Sequence, residues 1–307
     1  CALGRIRGER VREEGIKLSV HDMSRFWASL PFSPTGAQRR AIDQALGDIS
    51  SGAVMNRLVQ GDVGSGKTLV AAALMWQCAE NGYMSAFMAP TEILAEQHYS
   101  TLTSMLAPLG VRIGRLTGAM SAKEKRETKA KLKAGEYDIV VGTHALFSQD
   151  VEYSNLALAV TDEQHRFGVG QRSALIGKGR KPHVLVMSAT PIPRTLALII
   201  YGDLDVSVID ELPPGRQKVD TFTVDESYRQ RLNGFIRKLV GEGRQVFVVC
   251  PMVEENEELP VKLKSAQEHA AELAALFPDL TVACIHGRMK PKEKDAVMAA
   301  VVAGEVN

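Results

Sequence analysis

The stretch GDVGSGKT, Gly61 to Thr68, decides how the rest of this chain is interpreted. It fits the pattern Gly-x-x-x-x-Gly-Lys-Ser/Thr, with a predicted strand before it (56–60) and a helical pattern after it (68–81). A strand, a glycine-rich turn and a helix in this order form a phosphate-binding loop, because glycines let backbone N–H groups turn towards an anion at the helix N-terminus. The stretch therefore predicts a nucleotide site in an α/β protein.

Each residue type in this loop has a chemical role. Lys67 is expected to place its ammonium on the β and γ phosphate oxygens of ATP, and Thr68 to offer its hydroxyl to Mg²⁺. Backbone amides of the loop are expected to cradle the phosphates. The residues predicted to bind the nucleotide are Gly61, Gly64, Ser65, Gly66, Lys67 and Thr68.

A phosphate loop needs an acidic partner, and LALAVTDEQH (156–165) supplies one at the end of an apolar run. Asp162 is predicted to hold the Mg²⁺ shell, while Glu163 orients or deprotonates the attacking water. Alone, the two acids would equally describe a solvated turn. In MSATPIPRTL (187–196), Ser188 and Thr190 are predicted to sense the γ-phosphate through the acidic pair; the alternative is that prolines simply end the strand.

Short apolar runs alternate with longer helical patterns around the loop, which is typical of a parallel sheet in a P-loop NTPase. Near-continuous apolar runs predict strands buried on both faces. The predicted strands are 56–60, 85–89, 139–143, 156–162 and 183–189. The predicted helices between them are 68–81, ended by Gly82, then 91–106 and 121–135.

The prolines in VIDELPPGRQKV (208–219) interrupt this alternation and predict a linker. After it, predicted strands at 245–251 and 281–287 alternate with three helical patterns. Two strands are few for such a sheet, so the second domain is expected to be partial. The predicted organisation is a connecting segment (1–30), a first domain (31–205), a linker (206–226) and a partial second domain (227–307).

Composition sets broad limits on function. The chain has 307 residues, of which 45% are hydrophobic and 24% charged, and a formal net charge of +1. These values are typical of a globular protein, and a nucleic-acid partner would have to bind a local basic surface. Four dispersed cysteines and a charged N-terminus favour a reducing, cytoplasmic location without membrane association.

Seven stretches together resemble the superfamily 2 DNA helicases, and most closely the RecG family, which remodels stalled replication forks and Holliday junctions. They occur in the family's order from about Leu30 to the C-terminus. The stretches are GDVGSGKT, APTEILAEQH, VGTHALF, DEQHRFGV, SATPIPRTLAL, DLDVSVIDELPPGR and HGRMKPKEK.

The resemblance implies a RecA-like parallel-sheet domain followed by a partial second RecA-like domain, with ATP and Mg²⁺ as cofactors. Gln38 resembles the family's adenine-reading glutamine, although it would also suit an exposed helical position. His165 and Arg166 resemble the link between the ATP site and the DNA path. Residues at the family's DNA-contacting positions, where helix capping is the alternative role, are Thr91, Glu92, Thr117, Gly118, Thr143 and His144.

The resemblance further implies branched or forked DNA as the partner, a single-stranded DNA-binding protein as a second partner, and a monomer. The family's wedge domain and its later motifs, including an arginine finger, have no match here. We therefore expect this chain to bind ATP but to hydrolyse it weakly. A basic helix (Lys123 to Lys133) is interleaved with glutamates and is interpreted as a solvated face rather than a DNA contact.

Three other functions remain open from sequence. The motor of a transcription-repair coupling factor shares TPIPRTL and HRFGV but carries Glu where this chain has Gln164. A nucleotide-dependent DNA-binding module without turnover is the second. A small-molecule P-loop kinase is the third, and it would leave the helicase motifs unexplained.

Overall fold

The structure, a computed structural model, describes residues 14–148, 150–162, 182–189, 204–211, 219–251 and 265–307. The chain divides into two compact units, Cys1–Gln217 and Lys218–Asn307. This division lies inside the predicted linker, but the first unit's sheet continues into the linker's first residues, as far as Ile209.

A parallel sheet forms the centre of the first unit. Its strands are β1 (Asn56–Gly61), β2 (Met84–Met88), β3 (Ile113–Leu116), β4 (Ile139–Gly142), β5 (Leu156–Asp162), β6 (His183–Ser188) and β7 (Asp205–Ile209). They are ordered β3-β4-β2-β5-β6-β1-β7, with every neighbouring pair parallel. The five predicted strands are confirmed, whereas β3 and β7 were not predicted.

Burial on both faces explains why the central strands are almost continuously apolar. Every residue of β2 and of β4 is buried, as are the five residues 157–161 in the middle of β5. Alternating polar positions would put polar groups into a helix-covered face, so parallel strands covered on both sides avoid them. This is the sheet that the apolar runs predicted.

The described helices of the first unit are α1 (Ser24–Ser29), α2 (Gly36–Ser50), α3 (Lys67–Glu80), α4 (Glu92–Leu106) and α5 (Ala122–Ala134). The three predicted helices correspond to α3, α4 and α5, whereas α1 was not predicted. Capping boxes start α2 at Thr35 and α5 at Ser121. Just beyond the end of α3, Gly82 has φ of +72°, as a glycine that terminates a helix should.

The predicted connecting segment packs into the first unit over its described part, residues 14–30. Phe26 of α1 is fully buried, and its ring stacks on Trp76 of α3 with centroids 5.6 Å apart. Gln77 and Asn81 exchange side-chain hydrogen bonds of 2.8 to 2.9 Å with the backbone of His21 and Ser19. The segment is therefore packed against the first unit, and its residues Ile16, Leu18 and Phe26 belong to the core of that unit.

The second unit contains the three predicted helices, α6 (Arg229–Gly241), α7 (Ala266–Leu276) and α8 (Pro291–Val302). The predicted strands at 245–251 and 281–287 are wrong, because neither segment forms a strand in the described part of this unit. Phe247 and Val249 are 73% and 92% exposed. An apolar run becomes a strand only when a neighbour completes its hydrogen-bond ladder, and neither segment forms such a ladder with the described residues.

In the described ranges, each helix is too short or too polar to cross a bilayer.

Candidate nucleotide site and DNA path

The phosphate loop runs from the end of β1 to the start of α3, as predicted. Gly64 and Gly66 have φ of +76° and +83°, a conformation that side-chain-bearing residues rarely adopt. A Cβ on Gly66 would lie 2.2 Å from Nε2 of Gln38, and one on Gly61 would lie 2.6 Å from Oγ of Ser65. The glycines are thus required by backbone conformation and by close approach.

The two side chains expected to act on the phosphates begin α3. The Lys67 ammonium donates to the carbonyl oxygens of Gly61 (2.8 Å) and Asp62 (2.9 Å), which holds it over the loop. Thr68 is half-buried in the first helical turn. The Ser65 hydroxyl is buried and has no hydrogen-bond partner among the described residues. A buried hydroxyl without a partner is costly, so this site suits a ligand that accepts hydrogen bonds.

Gln38 contacts the loop directly. It is 3% exposed, its Nε2 donates to the Ser65 carbonyl at 2.8 Å, and its Oε1 accepts from the Thr35 amide at 2.9 Å. The alternative that the sequence left open, an exposed helical position for Gln38, is therefore wrong. The predicted contact with adenine stays a prediction.

Asp162 is the last residue of β5. It lies at the same edge of the sheet as the loop, the edge formed by the carboxyl ends of the parallel strands. It is level with Met187 of β6, and Ser188 is in turn level with Gln60 beside the loop. Ser188 is buried. Glu163, His165, Arg166 and Thr190 lie outside the described residues.

One side chain of this site was not identified from sequence. His98 of α4 contacts Asp162, with Nε2 and Oδ2 2.7 Å apart. Sixty-four positions separate the two residues, so local spacing carried no signal.

The available donors fit a magnesium ion. A carboxylate at Asp162 and a hydroxyl at Thr68 are hard oxygen ligands, which Mg²⁺ prefers, and the ion usually completes its shell with phosphates and water. Within the described ranges no group of three or more His, Cys, Asp or Glu is placed to bind a metal alone. Asp162 and Thr68 would therefore hold the ion together with the nucleotide.

The residues predicted to contact DNA follow β2, β3 and β4, the other half of the same sheet edge. Thr91 caps α4 by accepting from the Leu94 amide at 3.3 Å, which is the capping role left open. Oε1 of Glu92 lies 3.0 Å from the position that a Cβ on Gly118 would occupy, so these two motifs meet. His144 and Gly118 are exposed, whereas the side chains of Thr117 and Thr143 are buried.

The basic helix α5 has acidic neighbours along its length. Lys129 pairs with Asp150, Lys133 with Glu152 (2.8 Å) and Lys123 with Glu127 (3.9 Å). These ion pairs agree with the interpretation of a solvated face. Lys125 differs, since its ammonium donates to the carbonyl oxygen of Gly118 at 2.5 Å.

Sequence comparison places this site among helicases. The pattern of the DEAD/DEAH box helicase family matches residues 35–199, more than half of the chain. The ATP-dependent DNA helicase RecG of Acidithiobacillus ferridurans is 50% identical over 282 residues, which cover 92% of this chain and 41% of that protein. RecG of Escherichia coli K12 is 46% identical over 309 aligned residues, covering 98% and 44%. The chain thus spans less than half the length of these relatives.

Solved structures agree. RecG bound to a three-way DNA junction has a TM-score of 0.75 and 39% identity, covering 99% of this chain and 40% of that one. The helicase MrfA bound to DNA, at 16% identity and a TM-score of 0.66, covers 96% and 45% and shows a shared fold alone. The chain belongs to the DEAD/DEAH box helicase family, and RecG ATP-dependent DNA helicases are its relatives at 44 to 50% identity.

Proposed function

We propose that this protein is an ATP-dependent DNA translocase of the RecG type, which remodels branched DNA such as stalled forks and Holliday junctions. The observation that carries the proposal is that two groups of motifs share one end of the sheet, where the carboxyl ends of its parallel strands lie. Nucleotide-binding motifs follow β1, β5 and β6, and the predicted DNA-contacting motifs follow β2, β3 and β4. A motor has to couple its two ligand sites, because hydrolysis at one has to change the contacts at the other.

Cofactors and partners follow from this assignment. ATP and Mg²⁺ would be held by the loop, Thr68 and Asp162, with Glu163 acting on the attacking water. The solved structure of RecG bound to a three-way DNA junction supports branched DNA as the partner. A single-stranded DNA-binding protein as second partner, a monomeric state and a cytoplasmic location complete the proposal. The curated relatives named above favour this assignment over a transcription-repair coupling motor.

Binding of a fluorescent ATP analogue and of a three-way junction tests the proposal, with linear duplex of equal length as the control. We expect tighter binding to the junction and a junction affinity that changes with the analogue. Lys67→Ala should abolish the change, because the ammonium that neutralises phosphate charge is lost. Equal affinity for both DNAs, or no effect of nucleotide, would count against the proposal.

Hydrolysis separates a motor from a nucleotide-dependent binding module. DNA-stimulated turnover above the Lys67→Ala blank supports a motor. Turnover at the blank level, with nucleotide-dependent junction binding retained, would favour the module instead.

Adenine recognition by Gln38 is tested by competition between ATP and GTP. If its amide reads adenine, Gln38→Ala weakens ATP binding more than GTP binding. Equal weakening of both would leave Gln38 with a structural role only, through its hydrogen bonds to Thr35 and Ser65.

A further inference from the structure

The contact between His98 and Asp162 has a defined chemical direction. A carboxylate oxygen only accepts hydrogen bonds, so the Nε2 atom of His98 must carry a hydrogen and donate it to Oδ2 at 2.7 Å. Hydrogen bonds to a charged acceptor are stronger than those between neutral groups. The contact therefore holds one of the two oxygens of Asp162 in place.

Burial and packing make this contact rigid. The side chains of His98 and Asp162 are 12% and 13% exposed, so water competes little for either group. The imidazole also packs on the Phe87 ring, with centroids 4.5 Å apart and planes at 46°. Phe87 is fully buried in β2. The ring of His98 is thus oriented from one side by the core and from the other by the carboxylate.

The position of His98 in the sheet gives the contact a second consequence. Helix α4 follows β2, which pairs with β4 on one side and with β5 on the other. Thr91 caps the N-terminus of α4 and Glu92 begins it; both are predicted to contact DNA, and Glu92 approaches Gly118. Two turns later, His98 reaches Asp162 at the end of β5. One rigid helix therefore contacts both halves of the sheet edge.

We infer that His98 is a positioning residue for Asp162: it orients this carboxylate towards the Mg²⁺ of the bound nucleotide and ties it to the helix that faces DNA. The inference rests on the proposed function. Groups that hydrogen-bond a metal ligand commonly change metal affinity 10-fold to 100-fold when they are removed. A shift of α4 on DNA binding would move His98 and hence the carboxylate that it holds.

Two substitutions separate the hydrogen bond from the packing. His98→Phe keeps a ring against Phe87 but removes the donor, whereas His98→Gln keeps an N–H donor and removes the ring. Ser100→Ala, an exposed position on the same helix, is the matched control. Tryptophan fluorescence on heating reports the folding of each variant, and His98→Ala replaces His98→Phe if the latter does not fold.

The first measurement is the Mg²⁺ concentration needed for half-maximal binding of a fluorescent ATP analogue. We expect His98→Phe to raise it about 10-fold, and His98→Gln and Ser100→Ala to leave it within about threefold. An unchanged Mg²⁺ requirement in His98→Phe overturns the inference. So does a His98→Gln variant as impaired as His98→Phe, because a retained N–H donor would then give no protection.

The second measurement adds a three-way junction. In the wild-type chain the junction should change the affinity for the analogue. In His98→Phe this change should largely disappear. Junction binding by His98→Phe without nucleotide should stay within about twofold of the wild-type affinity. A full junction effect in His98→Phe contradicts the link through α4. A failure of the proposed function can be told apart from a failure of this inference alone. In the first case the wild-type chain would show no junction effect at all, and the proposed function and the inference would both be overturned.

Discussion

Single residues of the phosphate loop are constrained by backbone geometry as much as by chemistry. Gly66 combines a φ of +83° with a neighbouring amide that leaves no room for a methyl group. We predict that Gly66→Ala lowers the affinity for an ATP analogue at least 10-fold, because Gln38 and the Ser65 carbonyl must move apart. Fluorescence titration of the analogue measures the loss.

Gly82→Ala provides the matched control for this prediction. Gly82 has a similar φ of +72°, but nothing lies within 4 Å of the position that its Cβ would take. Both substitutions carry the left-handed penalty of about 1–2 kcal/mol. If Gly82→Ala weakened nucleotide binding equally, general destabilisation rather than the contact with Gln38 would be responsible.

The loop was predictable from sequence because all of its determinants lie within eight residues. Gly61, Gly66 and Lys67 form a local pattern whose geometry follows from the residue types. His98 and Asp162 meet only because β2 and β5 are neighbours in the sheet. Strand order is a property of the folded chain, so spacing along the sequence could not reveal this contact.

At the scale of elements, the packing of the N-terminal helix α1 leads to a prediction about the stability of the first unit. Phe26 is fully buried against Trp76, and deleting a buried phenylalanine ring costs about 3–5 kcal/mol. We predict that Phe26→Ala destabilises the first unit by this amount in urea unfolding. Both tryptophans, Trp27 and Trp76, lie in this unit, so fluorescence reports it selectively.

Phe32→Ala is the comparison for this substitution. Phe32 is 50% exposed and lies just beyond α1. Its removal should change stability by less than about 0.5–1 kcal/mol. A loss for Phe26→Ala as small as that for Phe32→Ala would mean that α1 is dispensable for folding of the first unit.

We expect His183, the first residue of β6, to make the stability of the first unit depend on pH. His183 accepts from the Met55 amide through Nδ1 at 3.0 Å, and its Nε2 donates to the Ile16 carbonyl at 2.7 Å. Burial lowers the pKa of His183 below its ordinary value of 6.5, and the Ile16 hydrogen bond and Asp48 offset part of this effect. The folded state therefore disfavours the protonated imidazole.

This pKa shift fixes the sign of the pH effect. Above about pH 6.5 the imidazole is neutral in both states and contributes no pH dependence. Below it, the unfolded chain binds a proton that the folded chain resists, so the free energy of unfolding falls, by up to about 1.4 kcal/mol at pH 5.5. Urea unfolding at pH 7.5 and 5.5 measures the fall.

Replacement of histidines identifies the group that titrates. His183→Gln should lose most of the fall between pH 7.5 and 5.5, whereas His144→Gln, at an exposed position, should keep it. An equal fall in the wild type and in His183→Gln would assign the pH dependence to other groups.

Strands β3 and β7 show where element prediction from sequence stops. β3 (IGRL) contains a glycine and an arginine, and β7 (DVSVI) lies beside the proline-rich linker. Both are short strands at the edges of the sheet, held by pairing with β4 and β1. Conversely, the apolar segments 245–251 and 281–287 satisfy the pattern but do not pair with the described residues. In all four segments, whether a strand forms depends on a pairing partner, and sequence patterns do not specify that partner.

For the whole molecule, a net charge of +1 means that the proposed DNA binding would have to depend on local contacts. Each phosphate contact lowers the logarithm of affinity by about 0.9 per tenfold increase in salt. Lys133 of α5 is paired with Glu152, while the Lys125 ammonium is held by the carbonyl of Gly118 beside the predicted DNA-contacting residues. These two lysines share a helix but not an environment.

The two lysines therefore predict different salt dependences of junction binding. If DNA passes beside Gly118, Lys125→Gln should reduce the slope of log affinity against log salt by about 1, because one phosphate contact and its released counterion would then be lost. Lys133→Gln should leave the slope unchanged, because its charge is already balanced by a carboxylate. Junction affinity between 50 and 300 mM salt measures both slopes. Equal slopes in the two variants would mean that DNA does not pass beside Gly118, and that the DNA-contacting half of the sheet edge is used differently.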